Sequence, residues 1–344
     1  MTAKDAKGFK LKPILVVLAV LLALAAGAIG WGWADLMGYA QQPAASEAEP
    51  QVFQVRSGVG LKTIARQLAQ AGLIRQPIKF QILARLEKVE RRLQAGEYLL
   101  AADQSPRQIL AALSDGRVRL HKVTIPEGYT QTQIVQLMVA SGLAGAANFA
   151  GELKKPQYIE QLGIPGTSLE GYLFPDTYLF PRQALAPEMV RALLSRFGAV
   201  FNQTWRTRAE ALGFSVHEIV TLASIIEKET GQPRERPLIA SVFHNRLNAK
   251  MRLMSDPTVI YGIPDFDGNL TRRHLRTATP YNTYTQPGLP PGPIANPGRE
   301  ALQAALYPAE SDYLYFVAKN DGSHQFSIRY KDHLKAVRTY QLGQ

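Results

Sequence analysis

The chain has 344 residues, with 39 Lys and Arg against 28 Asp and Glu, a formal net charge of +11, and no cysteine. That length suits about two domains, and 46% hydrophobic with 19% charged residues exclude a disordered polymer. Zero cysteine excludes disulfides, Cys-ligated zinc, iron–sulfur clusters and thiol nucleophiles. The positive balance fits an anionic partner such as lipid headgroups or an acidic wall polymer. No recognition motif accompanies the charge, so nucleic acid is not expected as a partner.

Lys4, Lys7, Lys10 and Lys12 precede 22 residues without a charge, 13–34. Such a stretch crosses ~30 Å of hydrocarbon as a helix. Trp31 and Trp33 stand at its far end, where indoles favour the interface. With lysines before the span and Asp35 after it, residues 1–12 are expected as a cytoplasmic tail and the rest outside. Ala23-Leu24-Ala25 fits a signal-peptide cleavage site nominally. The stretch exceeds the roughly 7–15 residues of a signal core, which favours a retained anchor. Residues 35–50 are rich in Ala, Gln, Glu and Pro and read as a linker.

A first module is expected over 51–120. VFQV at 52–55 alternates as a strand does, and Ile64, Ala65, Leu68 and Ala69 follow at helical spacing. Gly72 reads as a stop. A second helix is expected over about 77–87, a returning strand at 96–100, and a short helix after a Ser105 cap. KVTIPEGYTQTQIVQLM at 122–138 echoes the strand–turn–helix order. The remainder, 121–344, reads as mixed α+β. It has helices near 216–230, 236–249 and 299–306, a Pro/Gly-rich loop at 280–298, and strands at 313–318 and 325–328.

Familiar catalytic patterns fail. His217-Glu218 begins HExxH, but residue 221 is Thr, and the six histidines show no ligand spacing. There is no nucleophile elbow and no phosphate-binding or dinucleotide loop. No metal or cofactor is expected. The segment SVHEIVTLASIIEKETG at 215–231 is the informative one. Ile219, Leu222, Ala223 and Ile226 make an apolar stripe, Ser215 can cap the start and Gly231 can end it. Glu227 and Glu229 then fall in the last turn, where the helix dipole disfavours anions. They lie about 160° apart around the helix, so they cannot form the facing pair of a retaining glycosidase. Periodicity leaves open which of them enters a cleft, and also the alternative that both pair with Arg234 and Arg236. An acid beside an apolar face has a raised pKa and can protonate a leaving oxygen. Tyr172, Tyr178, Tyr261, Tyr281, Asn282 and Tyr284 are groups suited to a sugar chain.

Seven segments together resemble one family: LEGYLFPDTY (169–178), ASIIEKET (223–230), ASVFHNRL (240–247), LMSDPTVIYG (253–262), TPYNTYTQPGLPPGPIANPG (279–298), and YLYFVA with GSHQF (313–318, 322–326). In order and spacing the chain is similar to the YceG-like (MltG) family of endolytic murein transglycosylases. The resemblance implies a protein of the inner membrane with a periplasmic catalytic region and a small LysM-like module at 51–120. It implies cleavage inside peptidoglycan glycan strands, and a catalytic glutamate at the second Glu of EKET, here Glu229. The MurNAc–GlcNAc bond would break with closure of a 1,6-anhydro ring. Tyr281, Asn282 and Tyr284 are expected in the substrate cleft with Tyr178, and Glu170 and Arg246 as groups that orient it or as a structural ion pair. Partnership with wall-synthesis enzymes is a further expectation, since such an enzyme ends nascent strands. Two other readings stand beside it: a hydrolytic muramidase using Asp256 or Glu170 as second carboxylate, and a membrane-tethered wall-binding scaffold without catalysis.

Overall fold

A computed structural model of the chain describes residues 11–342, so Lys4, Lys7 and Lys10 lie outside the described residues. The chain divides into two compact units between Leu120 and His121. Among the described residues the architecture is mixed α+β, with three two-stranded sheets.

The first unit contains α1 (Leu11–Gln41), β1 (Gln51–Val55), α2 (Leu61–Gln70), α3 (Pro77–Leu86), β2 (Gly96–Leu100) and α4 (Pro106–Ser114). β1 and β2 are antiparallel, with Phe53 opposite Tyr98. Alternation turns Phe53 and Val55 inward onto Ile64, Leu68, Leu83 and Leu113, while Gln54 faces water. α4 begins with a reciprocal Ser105–Gln108 capping box.

α1 is long and apolar enough over Leu15–Gln41 to cross a membrane. It does not stop where the charge-free stretch ends. Leu36, Tyr39 and Ala40 continue the i, i+3, i+4 spacing past Asp35 and are buried in the first unit's core. The Asp35 carboxylate meets Lys79 Nζ at 2.6 Å. Beyond the helix, Arg75 donates to the Ala44 carbonyl at 2.7 Å, and Ala45 N donates to that of Ala102 at 2.9 Å. The expected linker at 35–50 is therefore helical at its start and fastened at Ala44 and Ala45.

The second unit runs through β3 (Leu120–Thr124), α5 (Gln131–Ala140), the short helices α6 (Phe149–Glu152) and α7 (Pro156–Leu162), and β4 (Thr177–Pro181). Next come α8 (Ala186–Val200), α9 (Gln203–Ala211), α10 (Val216–Glu229), α11 (Arg236–Asn248), α12 (Asp256–Tyr261) and α13 (Arg272–Arg276). α14 (Arg299–Leu306), β5 (Tyr315–Ala318), β6 (His324–Ser327) and α15 (Tyr330–Gln341) complete it. β3 pairs with β4, and β5 with β6 in antiparallel register, Phe316 opposite Phe326.

α10 is the spine of this unit and packs against α11, α12 and α14. Its burial is wider than the expected stripe: every residue from Ile219 to Ile226 is buried. The polar members are satisfied within the helix, Thr221 donating to His217 O and Ser224 to Thr221 O, each at 2.7 Å. Ser215 and Glu218 form a capping box at its start. It ends at Glu229 because Thr230 turns extended, φ −144°, one residue before Gly231. The Pro-rich loop lies directly on this helix, where Ile294 N donates to Ser224 Oγ at 3.0 Å. Gly171, at φ +89°, permits that approach, since a Cβ there would stand 2.5 Å from Pro293 Cγ and 2.8 Å from Val220 Cγ1.

Candidate active site

The last turn of α10 sends its two glutamates to different surroundings. Glu227 joins an ion-pair cluster: its Oε1 lies 3.1 Å from Arg236 Nη2, and its Oε2 accepts from Gly298 N at 2.9 Å. Arg236 also bonds Glu300 and lies 3.7 Å from Glu127. The alternative in which both acids pair with arginines thus holds for Glu227 and Arg236 only.

Glu229 turns towards α12. Its Oε1 accepts the hydroxyl of Ser255, and among the described residues its Oε2 has no partner. Ser255 stands at the N-cap position of α12 but does not cap it. A serine there ordinarily bonds the first-turn N–H groups, whereas this one is committed to the carboxylate. Ser255 is fixed in turn by Thr283, whose Oγ1 accepts from Ser255 N at 3.0 Å and meets Thr258 Oγ1 at 2.8 Å. Burial pushes Glu229 up to about 7, and the like charge of Asp256 adds to the rise. The Ser255 hydrogen bond and the Arg246 charge act in the opposite direction. Part of the Glu229 side chain remains open to solvent.

Arg246 is buried, donating to Leu314 O at 2.7 Å and to Leu253 O, with its guanidinium 5.5 Å from the centre of the Tyr315 ring. Tyr284 is half-buried and donates to exposed Asp256 at 2.6 Å, and burial raises its pKa. Glu229, Asp256, Tyr284 and Arg246 therefore form one electrostatic neighbourhood. Tyr281 stacks obliquely on Tyr261, ring centres 4.9 Å apart.

Glu170 and Arg246 do not pair. Glu170 is buried and accepts from Gln131 N at 2.9 and 3.0 Å, from Asn296 Nδ2 at 2.8 Å and from Tyr261 Oη at 3.2 Å. Burial pushes it up to about 7 against these donors. It ties α5, α12 and the Pro-rich loop together.

Two expected cleft residues are internal scaffold. Asn282 is fully buried, with Nδ2 donating to the carbonyls of His274, Leu275 and Thr277 and Oδ1 accepting from Tyr284 N. It shapes the loop that carries Tyr284 and has no surface left for a ligand. Tyr178 packs in the core on Phe180 and donates to Phe174 O at 2.6 Å. Tyr172 is likewise buried and bonded to His217 Nδ1 at 2.9 Å. Ser255 and Asn296 do not stand out in the sequence. Ser255 carried a signal, a hydroxyl before Asp-Pro, but one that reads as an ordinary cap. Among the described residues no cluster of His, Asp and Glu is arranged to hold a metal ion.

A family model described as "YceG-like family" matches residues 53–339, which include every residue of this neighbourhood. The chain belongs to the YceG-like family of endolytic murein transglycosylases. The endolytic murein transglycosylase of Bacillus subtilis is 33% identical over 305 residues, 84% of each chain. That of Streptococcus pneumoniae, strain D39, is 29% identical over 315 residues, covering 82% of this chain and 57% of the longer relative. Among solved structures, a YceG-like protein of Listeria monocytogenes superposes with a TM-score of 0.57 at 32% identity, over 84% of this chain and 100% of that one. Family membership makes the chain an enzyme, a lytic transglycosylase.

Proposed function

We propose that Glu229 is the single acid–base catalyst of an endolytic cleavage of peptidoglycan glycan strands. The observation that carries this reading is the state of its carboxyl: pushed up to about 7, held at one oxygen by Ser255 and, among the described residues, unpartnered at the other. Such a group is protonated in a large fraction of molecules at neutral pH and aims a free oxygen outward. Protonated Glu229 gives its proton to the oxygen linking N-acetylmuramic acid to N-acetylglucosamine. The C1–O bond breaks as the muramic C6 oxygen bonds C1, closing a 1,6-anhydro ring. The C6 hydroxyl proton passes to the Glu229 carboxylate, which restores the acid. No water enters, so a second carboxylate is not required to activate one.

In this reading Ser255 fixes the carboxyl, Arg246 moderates its charge, and Tyr284 and Tyr281 line the approach to the sugar. Residues 1–12 are cytoplasmic, 13–34 cross the inner membrane, and the units at 51–120 and 121–344 are periplasmic. The first unit's LysM-like, glycan-holding role rests on the family resemblance alone, since the topology of its described residues shows no distinct LysM-like submodule. Cleavage of nascent strands would bring the enzyme alongside wall-synthesis enzymes.

The test is digestion of purified peptidoglycan by the full chain in detergent, with Glu229→Gln beside it. Fragments ending in 1,6-anhydro-muramic acid, one water lighter than reducing ends and absent with the variant, are the expected products by mass spectrometry. Reducing ends would make the enzyme a hydrolase with Asp256 as the next carboxylate to examine. Retained sacculus binding without any products would make it a scaffold.

A further inference from the structure

α3 has two apolar faces, and only one belongs to the core. Phe80, Leu83 and Ala84 are buried in the first unit. Ile78, Ile82 and Leu86, spaced i, i+4, i+8, are 71%, 40% and 48% exposed. At 100° per residue these three fall within about 80° of one another, on the side away from the core. Lys79 and Arg85 flank that stripe on the helical projection. A large apolar stripe with basic margins is the pattern of a helix lying in a bilayer interface.

The neighbour of the stripe says what covers it. Ile82 and Leu86 line one groove with Ile29, Gly32, Trp33 and Leu36 of α1. Ile29 and Trp33 are themselves 72% and 56% exposed, and both belong to the apolar stretch that can cross a membrane. Ile29 precedes Ala34, the last residue of the charge-free stretch, by about 7.5 Å along the helix. A side chain beside Ile29 is therefore at the depth of the outer headgroup and upper acyl region. α1 and α3 are packed together, and Leu36, Tyr39, Ala40 and the Asp35–Lys79 ion pair fasten the helix to the unit. With no slack between span and unit, α3 stays at that depth once the span is inserted.

We propose that the Ile78–Ile82–Leu86 stripe is a second membrane contact, embedding α3 in the outer-leaflet interface next to the span. It takes lipid acyl chains in the groove shared with Ile29 and Trp33, while exposed Arg85 reaches the phosphates. This rests on the reading of residues 13–34 as an inserted anchor.

The absence of cysteine gives a clean test with the full chain in proteoliposomes. Single Ile82→Cys and Leu86→Cys variants carry an environment-sensitive fluorophore, and Leu24→Cys reports the span. The lipids bear nitroxides near the headgroup or along the chain, and iodide is the aqueous quencher. Labels at 82 and 86 are expected to be quenched by shallow nitroxides, blue-shifted relative to detergent-free aqueous dye, and protected from iodide. Leu24→Cys is expected to respond to deep nitroxides. Labels at 82 and 86 that are open to iodide and unaffected by nitroxide lipid, with Leu24→Cys still quenched, would overturn the stripe contact alone. Loss of the Leu24→Cys response would overturn the anchor and the stripe contact together. Both variants replace exposed side chains, and agreement between them guards against a local folding defect at either.

Discussion

Glu170 and Glu229 are carboxylates withdrawn from water in the same unit, and burial pushes both up to about 7. They differ in what occupies their oxygens. Both oxygens of Glu170 accept hydrogen bonds, from a backbone N–H, an amide and a phenol. Glu229 has Ser255 on one oxygen and no partner among the described residues on the other. Glu170 is 5% exposed, whereas Glu229 keeps an opening to solvent. A raised pKa is common to a fastener and an acid, and the free, reachable oxygen separates them.

The sharpest way to break that comparison is to neutralise each in turn. Glu229→Gln is expected to lower turnover about 1,000-fold, within the usual range for loss of a general acid, without lowering the melting temperature. Glu170→Gln is expected to do the reverse. Its amide N–H₂ would face donors, costing roughly 2–3 kcal/mol of stability, while the folded fraction retains cleavage. Peptidoglycan turnover normalised to folded protein, with thermal melts alongside, decides both.

The pH dependence sharpens it next. In the fold Glu229 sits near 7, above its unfolded value of roughly 4.5. Protonated, it costs nothing; its contribution to stability is lost as pH rises from about 4.5 through 7. The loss approaches roughly 3 kcal/mol in the limit. Melts of Glu229→Gln are therefore expected to gain on the unsubstituted protein between pH 5 and pH 8, the Glu170 share remaining in both. Over the same range kcat/KM of the unsubstituted enzyme should fall as Glu229 loses its proton.

Ser255→Ala removes the donor that favours the anion. The alkaline limb of the pH–rate profile is expected to move to higher pH, with turnover down about fivefold as roughly 1 kcal/mol of positioning is lost. Tyr284→Phe is the mildest test. It deletes the hydrogen bond to exposed Asp256 and should cost only a few-fold in turnover, for a bond worth roughly 0.5–1 kcal/mol near the surface.

Much of the fold could be read from local chemistry. The caps at Ser105 and Ser215, the helices over 61–70, 77–86, 216–229 and 299–306, and the strand alternation at Phe53 and Val55 all follow from spacing and end residues. The end of α1 was not legible, because Asp35 looks like a boundary until Lys79 is seen beside it. Asn282 and Tyr178 show why the site was harder. Amides and phenols suit a sugar, but they equally satisfy loop carbonyls and core packing, and a single sequence does not separate the two uses. Ser255 was hidden for the opposite reason, since its local pattern is that of a cap while its partner lies 26 positions away.

The ion pair between Glu227 and Arg236 bears on how α10 tolerates change in chain length. Inserting one residue upstream in the helix rotates its last turn by about 100°. Glu227 then leaves Arg236 and Gly298 N, and the buried guanidinium keeps only its more exposed partners Glu300 and Glu127. The two glutamates are thus phase-locked: the salt bridge acts as an index pin that sets the azimuth of Glu229 two positions later. Point substitutions along α10 are survivable exchanges of packing, but insertions and deletions are frame errors in space, punished at the pin before they are felt at the acid.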